Sequence, residues 1–558
     1  MKHKRFAKNI IALIILILAG CVAPATPTHN GQSQAITGGQ TQDTTGGQTQ
    51  GVTSDPQVYL PLVTVTYTAT PSACPATSSV AANTPTADQS TDTASPQDAA
   101  VTGNYYYVTT SGKSSGDGSI SHPWDLDSAL LNSKNKVAPG DTIWVCGGTY
   151  HPTIEPAKFN IKLKGTSGHP IYVRAYPGDR VTIDARIEIY QPYVVFWGFE
   201  VMSSSLDRTS SQTGSHPSDM NRSGGIGVYA GNATLINNVV HDGRDGITAD
   251  ADAPNTVLYG NISYNNGWDA PDRGHGHGVY TQNETGTKDI EENIVFNNFG
   301  RYSFHTYTEG SYLYNYTFVG NVVLNDEFLV GGLTAANNIS LTNNYVYNAI
   351  LKLGYDSQGN TGLTLDNNWL WNLGDDSLEV YWWNGVKVAN NHIFNSSGKV
   401  VSLRYPSSKG SYSWNNNQYA SSASSPFSLN DSSKSWSQWL SNTGYDGSSQ
   451  FTSSYPSGTQ VFVRPNAYDA KRGNIIVFNW NHSNNVSVNI SSLGLRNGDK
   501  YTLHNVQNYY AETISGTYNG NPISIPMTGW SVAVPIGWNQ PLRDSTFPNF
   551  GVFVLTSP

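Results

Sequence analysis

Two histidines alternate with glycines in DRGHGHGVYTQN, residues 272–283, with Asp272 and Arg273 before them and Tyr280 and Gln282 after. Imidazole titrates near neutrality and a nearby carboxylate raises its pKa, so this mixture of side chains suits proton transfer. Asp242, Asp245, Asp250, Asp252 and Glu309 add carboxylates within a short span, and His305 adds a third imidazole. Five arginines, Arg208, Arg222, Arg244, Arg273 and Arg301, fall between residues 208 and 301. A guanidinium clamps a carboxylate in bidentate fashion, which suits recognition of an acidic sugar. Taken alone, Gly-His-Gly is a tight turn whose imidazole bonds the backbone. The coincidence of imidazoles, carboxylates and guanidiniums argues for more.

What must position these groups is a repeat. NVVHD at 238 is followed by NISYN at 261, NIVFN at 293, NVVLN at 321, NYVYN at 344, NWLWN at 368 and NHIFN at 391. Successive first Asn residues are 23, 32, 28, 23, 24 and 23 apart. A period of this size means stacked coils, none of which can bury an apolar face alone. β-Branched and aromatic residues between the Asn positions prefer strands. Asn suits the turns because it tolerates a left-handed backbone, and stacked coils would align its amides as ladders. The two long intervals, and a loop over 203–225, put extra residues beside the histidine stretch; in repeat proteins such insertions bulge on one face, often the binding face.

Counting back fifteen positions from Asn261, Asn293 and Asn321 reaches Gly246, Gly278 and Thr306, and the residues just before them, Asp245, His277 and His305, align as one column, about 4.8 Å apart. The same count aligns Thr248, Tyr280 and Thr308 as a second column, then Asp250, Gln282 and Gly310, with Val279 pointing inward. The expected catalytic set is therefore His277, His305, Asp245, Asp272 and Tyr280. Arg244, Arg273, His275, Gln282, Arg301 and Glu309 are the expected substrate-binding set.

The Asn-x-x-x-Asn coils over roughly 104–420 resemble the pectate-lyase-like right-handed parallel β-helix superfamily. That resemblance implies an all-β fold and a polysaccharide substrate, and leaves the reaction open. Polygalacturonase-like hydrolases on this fold carry Asn-Thr-Asp, Asp-Asp, Gly-His-Gly and Arg-Ile-Lys in order. Gly274-His275-Gly276 and Gly276-His277-Gly278 match the third element; Asp250 and Asp252 are not adjacent, and the first and fourth elements are missing. Hydrolysis with inversion needs two carboxyls roughly 6.5–9.5 Å apart, for which Asp242, Asp245, Asp250 and Asp272 are available. A lyase needs a cation on the uronate carboxylate (Arg273 or Arg244), a base (His277 or His305) and an acid (Tyr280). HDGRDGITADAD offers oxygens for a hard cation, with Asp242, Asp250 and Asp252 as the metal candidates and Ca2+ as the cofactor they would take. The stretch 272–283 is also similar to uncharacterised bacterial secreted β-helix proteins. A glycan-binding or adhesive rod, or a structural surface-layer rod, stays open beside the enzyme, since fold does not imply function.

Net charge is −9 and only 13% of residues are charged, which excludes a strongly basic nucleic-acid binder. A monomer is expected. Lys2, Lys4, Arg5 and Lys8 precede an apolar run from Ile10 to Ala19, short for a membrane span and suited to an export signal over 1–20. Leu18-Ala19-Gly20-Cys21 resembles the bacterial lipoprotein signal box, which implies a lipid on Cys21 and attachment at a bacterial membrane or cell surface. Residues 21–103 are rich in Thr, Ser, Gln, Gly, Pro and Ala and cannot bury enough apolar surface to order themselves, so they read as a flexible stalk. Cys74 lies in that stretch and Cys146 in an apolar run; no bridge between them is expected. A short amphipathic helix is expected around 125–133. Residues 421–458 read as an irregular connector and 459–558 as a small β-sandwich, from alternating runs separated by Asn-rich turns. That sandwich resembles the accessory domains of carbohydrate-active enzymes, with a structural cap on the helix end as the alternative.

Overall fold

The computed structural model describes residues 103–152, 157–357 and 359–557. The export signal, Cys21, Cys74 and the stalk before residue 103 lie outside the described residues.

Strands wind through three sheets of twelve strands each. Each turn of chain contributes one strand to every sheet. Val279–Thr281 lies in sheet 2, Lys288–Glu291 in sheet 1 and Ile294–Phe296 in sheet 3, before Tyr302–Thr306 returns to sheet 2. Neighbouring coils pair in parallel, as at Val279 with Phe304 and Ile294 with Val322. The interior is a continuous column of Val, Ile, Leu and Phe, including Ile247, Val279, Phe304 and Phe328. Val279 points inward as the alternation requires.

Asn side chains hold the coils in step. The Oδ1 of Asn261 accepts from the Asn238 backbone N–H (3.1 Å) and Nδ2 (2.9 Å). The same pair of bonds recurs down Asn293, Asn321, Asn344, Asn368, Asn391 and Asn417. Each amide satisfies a backbone donor at a buried corner where no water competes. The second Asn of four of the motifs supplies the left-handed residue instead, with φ of 54° at Asn265, 52° at Asn297, 63° at Asn325 and 51° at Asn348, whereas Asn372 and Asn395 end their strands.

Both ends of the column are closed. Asp125 caps the Leu126–Leu130 helix, shorter than the expected element, and buries Leu126, Ala129 and Leu130 over the first coils. At the other end the coils run past residue 420. Phe427–Leu429 and Gln450–Thr452 are still coil strands, and the helix Trp436–Thr443 lies between them. The Ser-rich text hid this because one fully buried side chain, Trp439, does the plugging. Cys146 is disulfide-bonded, which corrects the expectation of no bridge. Composition around a cysteine reports local order and does not exclude a covalent tie.

Residues Thr459–Thr556 form a five-stranded antiparallel sheet backed by the pair Asn485–Val488 and Ile523–Pro526. The sandwich lies along the flank of the column and does not cap its end. Ile476, Phe478, Val552 and Val554 pack on the outer face of sheet 3, against Ile262, Phe296, Leu324 and Tyr347. Sheet 3 strands are thus covered on both faces, which is why they read as unbroken apolar runs. Polar ties flank this seam. Arg464 Nε reaches Glu292 at 2.8 and 2.9 Å. His241 sits between Asp242 (2.8 Å) and Glu200 (3.0 Å), and Arg180 closes on Glu200 at 2.6 Å.

Candidate active site

The loops 203–225 and 265–278 both leave sheet 3 and enter sheet 2, so they crowd one corner of the column. They join through a bridge between Thr209 and Asp269. Trp268–Asp269 and Gly274–His275 fold back as a small antiparallel ribbon. His275 is 3% exposed, its ring lies on Trp268 at 5.0 Å, and its Nε2 meets Asp272 Oδ1 at 3.1 Å. This corrects its expected place in substrate binding, because the ring is spent holding the ribbon. The glycines on either side of the next histidine, His277, are needed for close passage. A Cβ on Gly276, whose φ is +85°, would lie 2.4 Å from Gly267 Cα, and one on Gly278 would lie 2.1 Å from Val295 Cγ1.

Beyond the ribbon, His277 emerges half-buried onto the outer face of sheet 2. There the register sets Thr248 beside Tyr280 and Tyr280 beside His305. The expected pairing of Tyr280 with Thr308 is therefore off by three. Nine positions carry the chain from Val279 to Lys288, whereas twelve carry it from Phe304 to Tyr316. The three extra residues lie in the turn after Thr306, which a count made backwards from Asn321 must cross. His277 and His305 nevertheless meet, with ring centroids 4.3 Å apart. Tyr280 is 5.6 Å from the first ring and 5.4 Å from the second. Tyr302 and Tyr307 stack on His305 at 4.3 and 4.8 Å. Gln282 Nε2 donates to Tyr280 Oη at 2.9 Å and to the Tyr307 carbonyl at 3.2 Å. The tyrosine oxygen is an acceptor in that bond, so its own proton is free to be given elsewhere.

Burial holds both imidazoles in the neutral form. His277 is pushed down to about 3, chiefly by desolvation and then by Arg273 and His275. His305 is lowered in the same way, with His277 and Arg273 adding to the effect. Neither Nδ1 has a protein partner. Asp245 lies on the same side; burial raises its carboxyl, against the pull of Arg186 and Arg244. Burial also raises Asp250. Arg273 is largely exposed, pairs with Asp272 at 2.8 Å and reaches Ser215 Oγ at 3.3 Å in the facing loop.

The remaining expected residues spread outward from this centre. Arg244 lies over the Trp268 ring at 5.1 Å, while Arg301 and Glu309 are exposed at turns near it. Asp252 is exposed, beside the half-buried Asp250. Asp242 is withdrawn from any metal-binding or hydrolytic role: its oxygens are taken by Arg208, His241 and the Ile536 N–H. Among the described residues no group of three or more His, Cys, Asp or Glu side chains is placed to hold a metal ion.

Further residues share the face without being expected there. Arg186 donates to Thr248 Oγ1 at 3.1 Å and Tyr229 Oη at 3.2 Å. Past His305 the same outward row runs through Leu329, Lys352 and Glu379. Lys352 lies 3.4 Å from Glu379 and 3.9 Å from Glu327, whose carboxyl burial raises to about 7. Extending the outward parity into the regular coils would have found Lys352 and Glu379. No length anomaly drew attention to those coils.

Residues 106–298 match the family described as Pel9A-like, right handed beta helix region. The matched stretch includes His277 and Tyr280 and stops short of His305. Among solved structures, pectate lyase Pel9A is 19% identical, over 52% of this chain and 78% of its own, with a TM-score of 0.34. The GH136 lacto-N-biosidase from Eubacterium ramulus is 14% identical, over 62% and 66%, with a TM-score of 0.33. A rhamnogalacturonan lyase is 16% identical, over 56% and 84%, with a TM-score of 0.32. Uncharacterized protein YwoF of Bacillus subtilis (strain 168) is 33% identical over 81 residues, which are 14% of this chain and 16% of that protein.

Proposed function

We propose that the protein cleaves an acidic polysaccharide by β-elimination on the outer face of sheet 2. The observation that carries this reading is the contact of two neutral imidazoles beside a tyrosine whose hydroxyl proton is unengaged. Elimination removes the C5 proton of a uronate, forms the C4–C5 double bond and breaks the C4–O4 bond. One imidazole of the His277–His305 pair takes the C5 proton. Tyr280 gives its proton to the departing O4, and Arg273 meets the carboxylate, lowering the cost of negative charge at C5. Asp245 and Asp272 position the cations. A neutral imidazole is the form a base requires, and a buried tyrosine keeps its proton until a leaving oxygen needs it.

Hydrolysis is the second reading, favoured by the raised carboxyls of Asp245 and Glu327, since a protonated carboxyl is the acid that step uses. We place the enzyme outside the cytoplasm on a lipid at Cys21, with the stalk as its tether. The test is incubation with acidic and neutral polysaccharides, following the ultraviolet absorbance of an unsaturated uronate together with reducing ends. Both signals rising, and both lost in His277→Ala, support elimination. Reducing ends alone would transfer the reaction to the carboxyls. Neither signal across a broad panel would leave a binding rod.

A further inference from the structure

A second site lies on the far flank, where the sandwich overhangs the last coils of sheet 3. A cavity of about 240 Å³ opens there between Trp369, His392 and Phe394 of the column and Trp480 of the sandwich. Its rim carries Gln418, Gln450 and Thr452, all exposed. The volume lies below the roughly 300–1,000 Å³ of sites for drug-sized ligands, so it suits a single ring.

The walls identify that ring. Trp369 and His392 stack at 3.7 Å, Phe394 meets Trp480 edge-on at 5.6 Å, and Trp369 and Trp480 lie 6.4 Å apart. Such faces attract the C–H side of a flat, partly apolar molecule. Polar groups are also waiting: the Trp480 Nε1–H and the His392 Nδ1 are buried without a protein partner. A buried donor left unpaired is destabilising, and a ligand hydroxyl would recover that loss. The rim amides and hydroxyl donate and accept as sugar hydroxyls require. No Lys, Arg, Asp or Glu lines the cavity, so nothing there compensates a uronate charge. The pairing of aromatic planes with amides and without charge fits one chemistry.

We propose that this cavity binds one uncharged pyranose unit of a neutral polysaccharide, separately from the acidic chain met on sheet 2. The protein would then hold two glycans at once, one to cut and one to grip.

The full chain is run by affinity electrophoresis through gels containing hydroxyethyl cellulose, mixed-linkage β-glucan or polygalacturonate. Retardation by a neutral polymer is expected. Trp480→Ala should weaken it by about tenfold or more, as removal of an aromatic anchor does. Gln418→Ala and Gln450→Ala should each weaken it several-fold without changing the melting temperature, which keeps the test sound if the tryptophan variant misfolds. Product release from acidic polymers should be unaffected by the glutamine changes. No retardation by either neutral polymer, or retardation unchanged in both glutamine variants, would overturn the proposal. Cleavage and grip fail independently, because His277→Ala removes only the first.

Discussion

His277 and His305 face each other at 4.3 Å although the strand register sets His305 beside Tyr280. The contact arises because His277 stands just before its strand, where the ribbon delivers it across the corner. Two neutral rings and a tyrosine thereby form one patch that no single coil contains.

Removing either part of that patch should slow the chemical step more than it weakens binding. His277→Ala and Tyr280→Phe are each expected to lower kcat by about 10²–10⁴-fold, the usual worth of a positioned acid or base, with KM little changed. Steady-state kinetics on an acidic polysaccharide decide this, and a loss confined to KM would mean that these groups only bind.

The imidazoles also fix a pH dependence. With His277 at about 3 in the fold, its base form persists as pH falls well below 6. The pH–rate profile should show no acid limb near the ordinary histidine value of 6.5. Stability moves separately: the unfolded chain takes up a proton near 6.5 that the fold refuses until about 3, so this contribution falls as pH drops through that window. An acid limb of kcat/KM centred near 6.5 would contradict the burial of this ring.

Arg273 should behave as a screened point of attraction. Arg273→Ala is expected to raise KM for a polyuronate while leaving melting unchanged. The difference from the parent enzyme should shrink toward 1 M salt, where the Debye length is about 3 Å. Equal effects at low and high salt would argue against a role for its charge.

The seam between column and sandwich predicts a different titration. His241 is raised to about 9 by Asp242 and Glu200, and Glu200 is lowered to about 2 by His241 and Arg180, each overcoming its burial. The histidine's contribution is full below 6.5 and is lost as pH rises toward 9. The Glu200 contribution is full above 4.5 and is lost as pH falls toward 2. Calorimetry should find the network strongest between those limits. His241→Ala should cost about 3–5 kcal/mol there, as breaking a buried ion pair does; a cost below about 1 kcal/mol would mean that the carboxylates find other partners.

Ladder position decides the cost of losing an Asn. Asn321→Ala strips the buried Asn293 backbone N–H of its acceptor and should cost about 1–3 kcal/mol. Asn384→Ser, exposed on the strand Trp383–Ala389, should change stability by less than about 0.5 kcal/mol. Equal losses in chemical denaturation would remove the special standing of the buried ladder.

These expectations also mark how far the sequence could be read. Asn-x-x-x-Asn announces the coils because one side chain type solves the same backbone problem at every corner. The insertions then point to the corner beside sheet 2, where Asp245, His277, Tyr280 and His305 lie close together. Register could not be carried through the turn after Thr306, since its added length leaves no mark in the spacing of the ladder alone. Asp242 and His275 were misplaced for a related reason: their types suit chemistry, but their partners, Ile536, Arg208 and Trp268, come from distant segments or a ribbon fold. Lys352, Glu379 and the Trp369–Trp480 cavity stayed hidden because their neighbours lie in other coils or in the sandwich.

The ladder has one more consequence, for how such a molecule can change. From Trp197 onward the chain turns between sheets 1 and 3 in two residues, as at Gly260-Asn261, Glu292-Asn293, Gly320-Asn321, Asn343-Asn344, Asn367-Asn368 and Asn390-Asn391. This corner is a fixed spine. Over these coils length varies at the other two corners, where 203–225, 265–278 and the turn after Thr306 lie. Loops there can be exchanged, lengthened or lost without disturbing the stacking, so a lineage can explore new glycans at one edge while inheriting the same backbone at the other.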